Sequence, residues 1–138
     1  MIVTITREAQ AAMVAAAAAA NGLECCGLLL GRTGHVTTVV PAANVAATPD
    51  RAFEIDPATL LRVHRDARGA GQQVIGHYHS HPNGQAEPSP RDAARALEND
   101  QIWLIIAAGV VSGWTAVATN ACGDALHGRF RPVTLAVQ

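Results

Sequence analysis

Residues 76–92 read GHYHSHPNGQAEPSPRD, a strand running into a helix start, and the rest of the chain is placed around them. His77, His79 and His81 stand at alternate positions. In an extended strand alternate side chains share a face, so the three imidazoles project to one side. Pro82 ends the strand because it has no N–H to give to a ladder. Asp92 follows, three positions beyond Ser89. Imidazoles with one carboxylate suit Zn²⁺, with a fourth position left for water. The residues alone leave the third protein ligand open between His77 and Asp92. They also carry plainer readings. A His-x-His pair can simply face solvent, and Ser89-Pro90-Arg91-Asp92 is a complete helix start. Ser89 is a good N-cap, Pro90 fits the first helical position and Asp92 approximates a capping box. The two readings are compatible, since an Asp in a first helical turn can face a metal at a neighbouring strand end.

Outward from this stretch, Gln72 to His81 is read as the central strand and 90–99 as the helix after it. Upstream, residues 23–31 are mostly apolar, the mark of a strand buried on both faces. Thr33-Gly34 is a turn, and 35–40 returns as the second strand of a hairpin. Residues 2–5 form a short strand, and Thr6 caps a helix from Arg7 to Ala20 that Asn21-Gly22 closes. Residues 41–52 are loop, Phe53-Glu54-Ile55 a short edge strand, and Asp56-Pro57 opens a helix ending near Gly69 or Gly71. Leu60, Leu61, Val63 and His64 recur there at helical spacing, and Arg62, Arg65 and Arg68 form an exposed face. Downstream, 102–106 is a buried strand, Gly113 to Thr119 a half-buried one, 120–124 a turn and Gly128 to Val137 the last strand. Strands alternating with helices, without a phosphate-binding glycine loop, give an α/β fold: a mixed sheet flanked by helices.

Composition narrows the function classes. At 138 residues the chain is expected to be one domain with a real core, and 49% hydrophobic against 15% charged residues describes a compact globule. A net charge of −1 offers no footprint for nucleic acid. All ten basic residues are arginines, so lysine-based covalent catalysis is excluded. Three cysteines, two of them the adjacent Cys25 and Cys26, make no disulfide framework and are read as small buried hydrophobes in a reducing cytoplasm. The alanine run from Ala11 to Ala20 is too short and too weakly hydrophobic to cross a bilayer, so no membrane association is expected. His35 and His127 are lone histidines, read as structural or surface residues.

The motif Gly76-x-Tyr78-His79-Ser80-His81-Pro82, followed by Ser89-x-x-Asp92, resembles the signature of the JAMM (MPN+) metalloproteases. The stretch Glu24-Cys25-Cys26-Gly27-Leu28-Leu29-Leu30-Gly31 resembles that family's strand with the catalytic glutamate, and the similarity includes Asn44 and FEIDP at 53–57. The resemblance implies zinc bound by His79, His81 and Asp92, Glu24 holding and deprotonating its water, and Ser89 steadying the oxyanion. It selects Glu24 as the base, where the residues alone do not choose among Glu24, Glu54 and Asp56. At position 77, where relatives often carry a large apolar or aromatic residue, this chain has His77. A JAMM/MPN, cytidine-deaminase-like domain over 1–138 is implied. So is a zinc-dependent peptidase or isopeptidase that cuts after the C-terminal glycines of a ubiquitin-like or sulfur-carrier protein. No long insertion stands at 43–56 or after the metal helix, so linkage-specific deubiquitination is not expected. A zinc hydrolase of a small-molecule amide is the alternative. A non-catalytic MPN scaffold conflicts with the intact Glu24, His79, His81, Ser89 and Asp92, and a deaminase lacks its Pro-Cys-x-x-Cys ligands.

Overall fold

A computed structural model describes residues 1–96, 98, 100–117 and 123–138. The hydrophobic run after Cys25 forms β2 (Cys26–Arg32), which returns through the Thr33-Gly34 turn as β3 (His35–Ala42). β2 is apolar on both faces because both are covered. Leu29 packs with Ala9 and Met13 of α1 (Arg7–Ala19), while Leu28 and Leu30 pack with Val63 and Ala67 of α2 (Pro57–Gly69). Thr6 caps α1 through a hydrogen bond from the Ala9 amide, and Asp56 caps α2 through Thr59. In α2 the buried side is Thr59, Val63 and Ala67, and Leu61 is exposed with the arginines instead.

On its other edge β2 pairs antiparallel with β4 (Gln73–Ser80), Cys26 opposite His79 and Leu28 opposite His77. The start of β2 therefore lies beside the end of β4. Leu29 pairs with Gly76 but Leu30 with Val74, so Ile75 is an extra residue, a β-bulge. The bulge resets the alternation. Ile75 and Tyr78 both join the core under α1, and the odd-numbered histidines beyond it turn to the opposite face.

β4 runs parallel to β5 (Ile102–Ala107), every residue of which is buried, and the crossover between them carries α3 (Pro90–Arg95). β5 turns back through Ala108-Gly109 into β6 (Val110–Ala116), which pairs with β7 (Phe130–Val137). β7 runs parallel to β1 (Ile2–Ile5), and β1 runs parallel to β3. The mixed sheet flanked by helices is thus closed into a barrel in the order β1-β3-β2-β4-β5-β6-β7. Among the described residues no helix is long and apolar enough to cross a membrane.

Four local expectations are corrected. The strand expected from residue 23 begins at Cys26, because Glu24 and Cys25 lie beyond the last β3 partner, Ala42. Residues 53–55 contribute only an isolated bridge between Asn44 and Ile55. β6 starts at Val110 rather than Gly113, and α3 stops at Arg95. Leu97 and Asn99 at the end of the expected helix, Ala118 and Thr119 of the expected strand, and Asn120, Ala121 and Cys122 of the expected turn lie outside the described residues.

Candidate active site

Three elements meet where β4 ends. β4 supplies His79, His81 follows at once, and the first turn of α3 supplies Asp92. Ser89 caps α3, its Oγ accepting from the Asp92 amide at 3.0 Å. Asp92 Oδ2 in return accepts from the Ser89 amide at 2.9 Å, completing the capping box. The same Oδ2 lies 3.3 Å from His79 Nε2 and 3.1 Å from His81 Nε2, and the two Nε2 atoms are 3.0 Å apart. All three side chains are buried.

Such a triangle fits a metal. Ligands about 2.0–2.1 Å from a tetrahedral zinc stand about 3.3–3.4 Å from one another, close to the edges observed here. His81 Nδ1 lies 2.9 Å from the Gln85 carbonyl, so that nitrogen carries the proton and Nε2 turns its lone pair inward. Burial pulls both imidazoles toward the neutral form, and it prevails at His79. At His81 the Asp92 carboxylate and the Gln85 carbonyl outweigh it and hold the ring above its ordinary range. Burial opposes ionisation of Asp92 as well, but its bonds to His79 and His81 keep it well below the usual carboxylate range. The donors available in the triangle are two imidazoles and a carboxylate.

Glu24 sits across the site, just ahead of β2. One of its carboxylate oxygens lies within 4.8 Å of a ring nitrogen each of His79 and His81, near enough to face the same spot and to hold a water or share a metal there. Burial pushes its carboxyl up to about 7, partly offset by His81. The competing acids stand elsewhere: Glu54 is exposed, and Asp56 caps α2.

His77 shares the face of His79 but not the triangle. Its ring packs 4.2 Å from Trp103 and 5.1 Å from Phe53, its Nε2 is buried without a partner, and burial pushes it down to about 3. Asp92 lies with His79 and His81, and His77 lies among aromatic rings, an arrangement that favours Asp92 over His77 as the third donor. His35 is exposed beside Thr4, and His127 meets the Pro88 carbonyl at 3.1 Å, bracing the loop ahead of Ser89.

Sequence reading missed the packing around the triangle. Phe53 stacks on His79 with ring centroids 4.3 Å apart. The Arg95 guanidinium lies 5.5 Å over the Phe53 ring and donates to the Phe53 carbonyl. Ser80 Oγ accepts from the Cys25 amide at 2.8 Å, tying the residue after Glu24 to β4. The sequence places Phe53 in an expected edge strand and in the FEIDP segment, and neither sets it on a histidine.

The barrel, the buried histidines and the acid across from them define a class, and comparison with known proteins gives the family. Residues 6–119 match the family of prokaryotic homologs of the JAB domain, and the chain belongs to it. It is 38% identical over 84 residues to the desampylase of Haloferax volcanii, covering 59% of this chain and 60% of that protein. It is 41% identical over 70 residues to a probable TtuB-protein conjugate cleaving protease of Thermus thermophilus, covering 51% of this chain and 47% of that one. The matches thus span about half to three-fifths of these curated relatives. A solved structure from Desulfitobacterium hafniense superposes with a TM-score of 0.83 at 28% identity, covering 100% of this chain and 93% of that one. A JAB1/MPN domain protein from Archaeoglobus fulgidus has the same fold, with a TM-score of 0.62 at 17% identity over 99% of this chain and 96% of its own.

Proposed function

We propose that residues 1–138 form one zinc-dependent metalloprotease domain that hydrolyses the peptide or isopeptide bond after the C-terminal glycines of a ubiquitin-like or sulfur-carrier protein. The observation that carries this reading is the triangle of His79 Nε2, His81 Nε2 and Asp92 Oδ2, with edges of 3.0–3.3 Å and Glu24 across it. These three atoms would hold the metal. Zinc, when bound, supplies Lewis-acid polarisation and brings the pKa of water toward about 7.

The chain's own residues do the rest. Glu24 holds the attacking water and takes its proton as oxygen adds to the scissile carbonyl; it then returns that proton to the leaving nitrogen as the carbon–nitrogen bond breaks. Ser89 spends an Oγ lone pair on the Asp92 amide, so its hydroxyl proton can be donated to the developing oxyanion. The names of the two curated relatives, a desampylase and a conjugate-cleaving protease, support the substrate class.

The test is a small sulfur-carrier protein extended beyond its diglycine, incubated with zinc-loaded enzyme and read by mass spectrometry. Cleavage immediately after the diglycine is expected, abolished by chelator and reduced by about 10²–10⁴ in Glu24→Gln. Cleavage elsewhere in the tail, equal cleavage by the variant, or indifference to Ala-Ala in place of the diglycine overturns the proposal.

A further inference from the structure

Glu24 stands just outside the β-ladder, and neither of its main-chain groups is held by a strand. Its amide donates to the Pro49 carbonyl at 2.7 Å, and its carbonyl accepts from Asn44 Nδ2 at 2.8 Å. Both partners belong to the segment 43–56, which in turn is built on Asn44. Nδ2 also donates to the Ala52 carbonyl at 3.0 Å, while Oδ1 accepts from the Ala46 and Glu54 amides, each at 3.0 Å. Two donors and two acceptors are all that a primary amide offers. Each meets a backbone group of fixed polarity, so the orientation of the Asn44 amide is dictated rather than chosen.

Four bonds from one half-buried side chain do more than close a loop. The contacts through Oδ1 and to Ala52 fold 44–54 back on itself, and the remaining one fastens that folded unit to Glu24. The unit then returns to Glu24 a second time, through Pro49. We infer that Asn44 is the positioning residue for Glu24: it sets the main chain of the base, and through it the reach of the carboxylate toward water at the metal triangle. The inference rests on the reading of Glu24 as the base. Misplacing a reacting group by about 1 Å costs about 10² in rate; Ser80 fixes the neighbouring Cys25, but the main-chain groups of Glu24 itself meet Asn44 and Pro49.

The test is a double-mutant cycle with kinetics and backbone-amide exchange. Asn44→Asp keeps an oxygen for the Ala46 and Glu54 amides but sets a second oxygen, not a donor, against the Glu24 and Ala52 carbonyls. It should bind zinc in the wild-type ratio and lower kcat by about 10–10² with KM little changed. The Glu24 amide should lose protection with it. Added to Glu24→Gln, the same change should cost less than about threefold further, because its effect passes through the missing base. Losses that multiply, or an unchanged kcat in Asn44→Asp, overturn the inference. Should Glu24→Gln alone turn over normally, the base assignment fails instead, which is a separate result. If Asn44→Asp does not fold, the wild-type protein decides: the amides of Glu24, Ala46 and Glu54 should exchange through one common opening, and a Glu24 amide that opens independently of the other two overturns the inference.

Discussion

Two histidines two residues apart on one strand face lead different lives because one neighbour differs. Asp92 bonds His79, so the proposed ligand set takes His79 and leaves His77 as a polar group buried against Trp103 and Phe53. Replacing His79 or Asp92 with Ala should therefore strip zinc, measured by elemental analysis of the purified protein, whereas His77→Phe should keep it. Since an unpaired buried polar atom costs about 1–3 kcal/mol, His77→Phe should also unfold at a higher temperature by about 1 kcal/mol of stability. Zinc loss in His77→Phe would put that ring in the metal set. Glu24 gives a pH signature of its own. Its carboxyl moves from an ordinary 4.5 up to about 7, through burial first. The protonated form is the one the fold prefers. In the metal-free protein its contribution is complete below 4.5 and lost as pH rises through 7, at most about 3 kcal/mol. Urea unfolding of metal-free wild type should lose stability over that window relative to Glu24→Gln; parallel curves would show that burial does not act on this carboxyl.

At the scale of elements, the capping box of α3 and the proposed oxyanion donor are one residue, so a single change should show both. Ser89→Ala should cost about 1 kcal/mol of stability and about 10²–10³ in kcat, and Ser89→Thr should recover most of each. Thermal unfolding and steady-state kinetics on the same samples check this; a loss confined to stability would take Ser89 out of the reaction. The same dual role explains what was legible in the sequence. Alternating histidines, a Ser-Pro helix start and a Thr-capped alanine helix are local patterns, read within a few residues, and each stands where it was expected. The bulge at Ile75 is not local: Val74-Ile75-Gly76 looks like any strand, and only pairing with Leu29 and Leu30 reveals the extra residue. The hairpin at 107–110 hid for another reason. Ala108 has φ +51° and Gly109 φ +77°, a primed turn with alanine where Asn or Gly is the usual sign. The main-chain bonds on Glu24 come from Asn44 and Pro49, twenty and more positions away, which no window around Glu24 contains.

For the whole molecule, the expected mixed sheet with helices is present, but its closure was beyond sequence reading, because the seam joins β1 to β7 across almost the entire chain. Closure also bears on the substrate. β1 covers β3 only at His35 and Val36, so among the described residues the outer edge of β3 toward Ala42 is the edge left open to strand addition by an extended tail. Removing residues 130–138 should expose β1 and β6 as open edges and turn a monodisperse protein into one that aggregates, read by light scattering; a truncated form as well behaved as the parent would show that the seam contributes little. The seam also has a consequence in time. On the ribosome β1 emerges first and β7 last of the seven strands, while Glu24, His79, His81 and Asp92 lie between them. The residues of the proposed metal site are thus synthesised well before the wall that encloses them is finished, and during that interval the nascent chain carries a pair of unsatisfied strand borders. Folding of this domain is therefore gated by its final strand, and a pause in translation after residue 92 would hold the ligands exposed with the barrel still open.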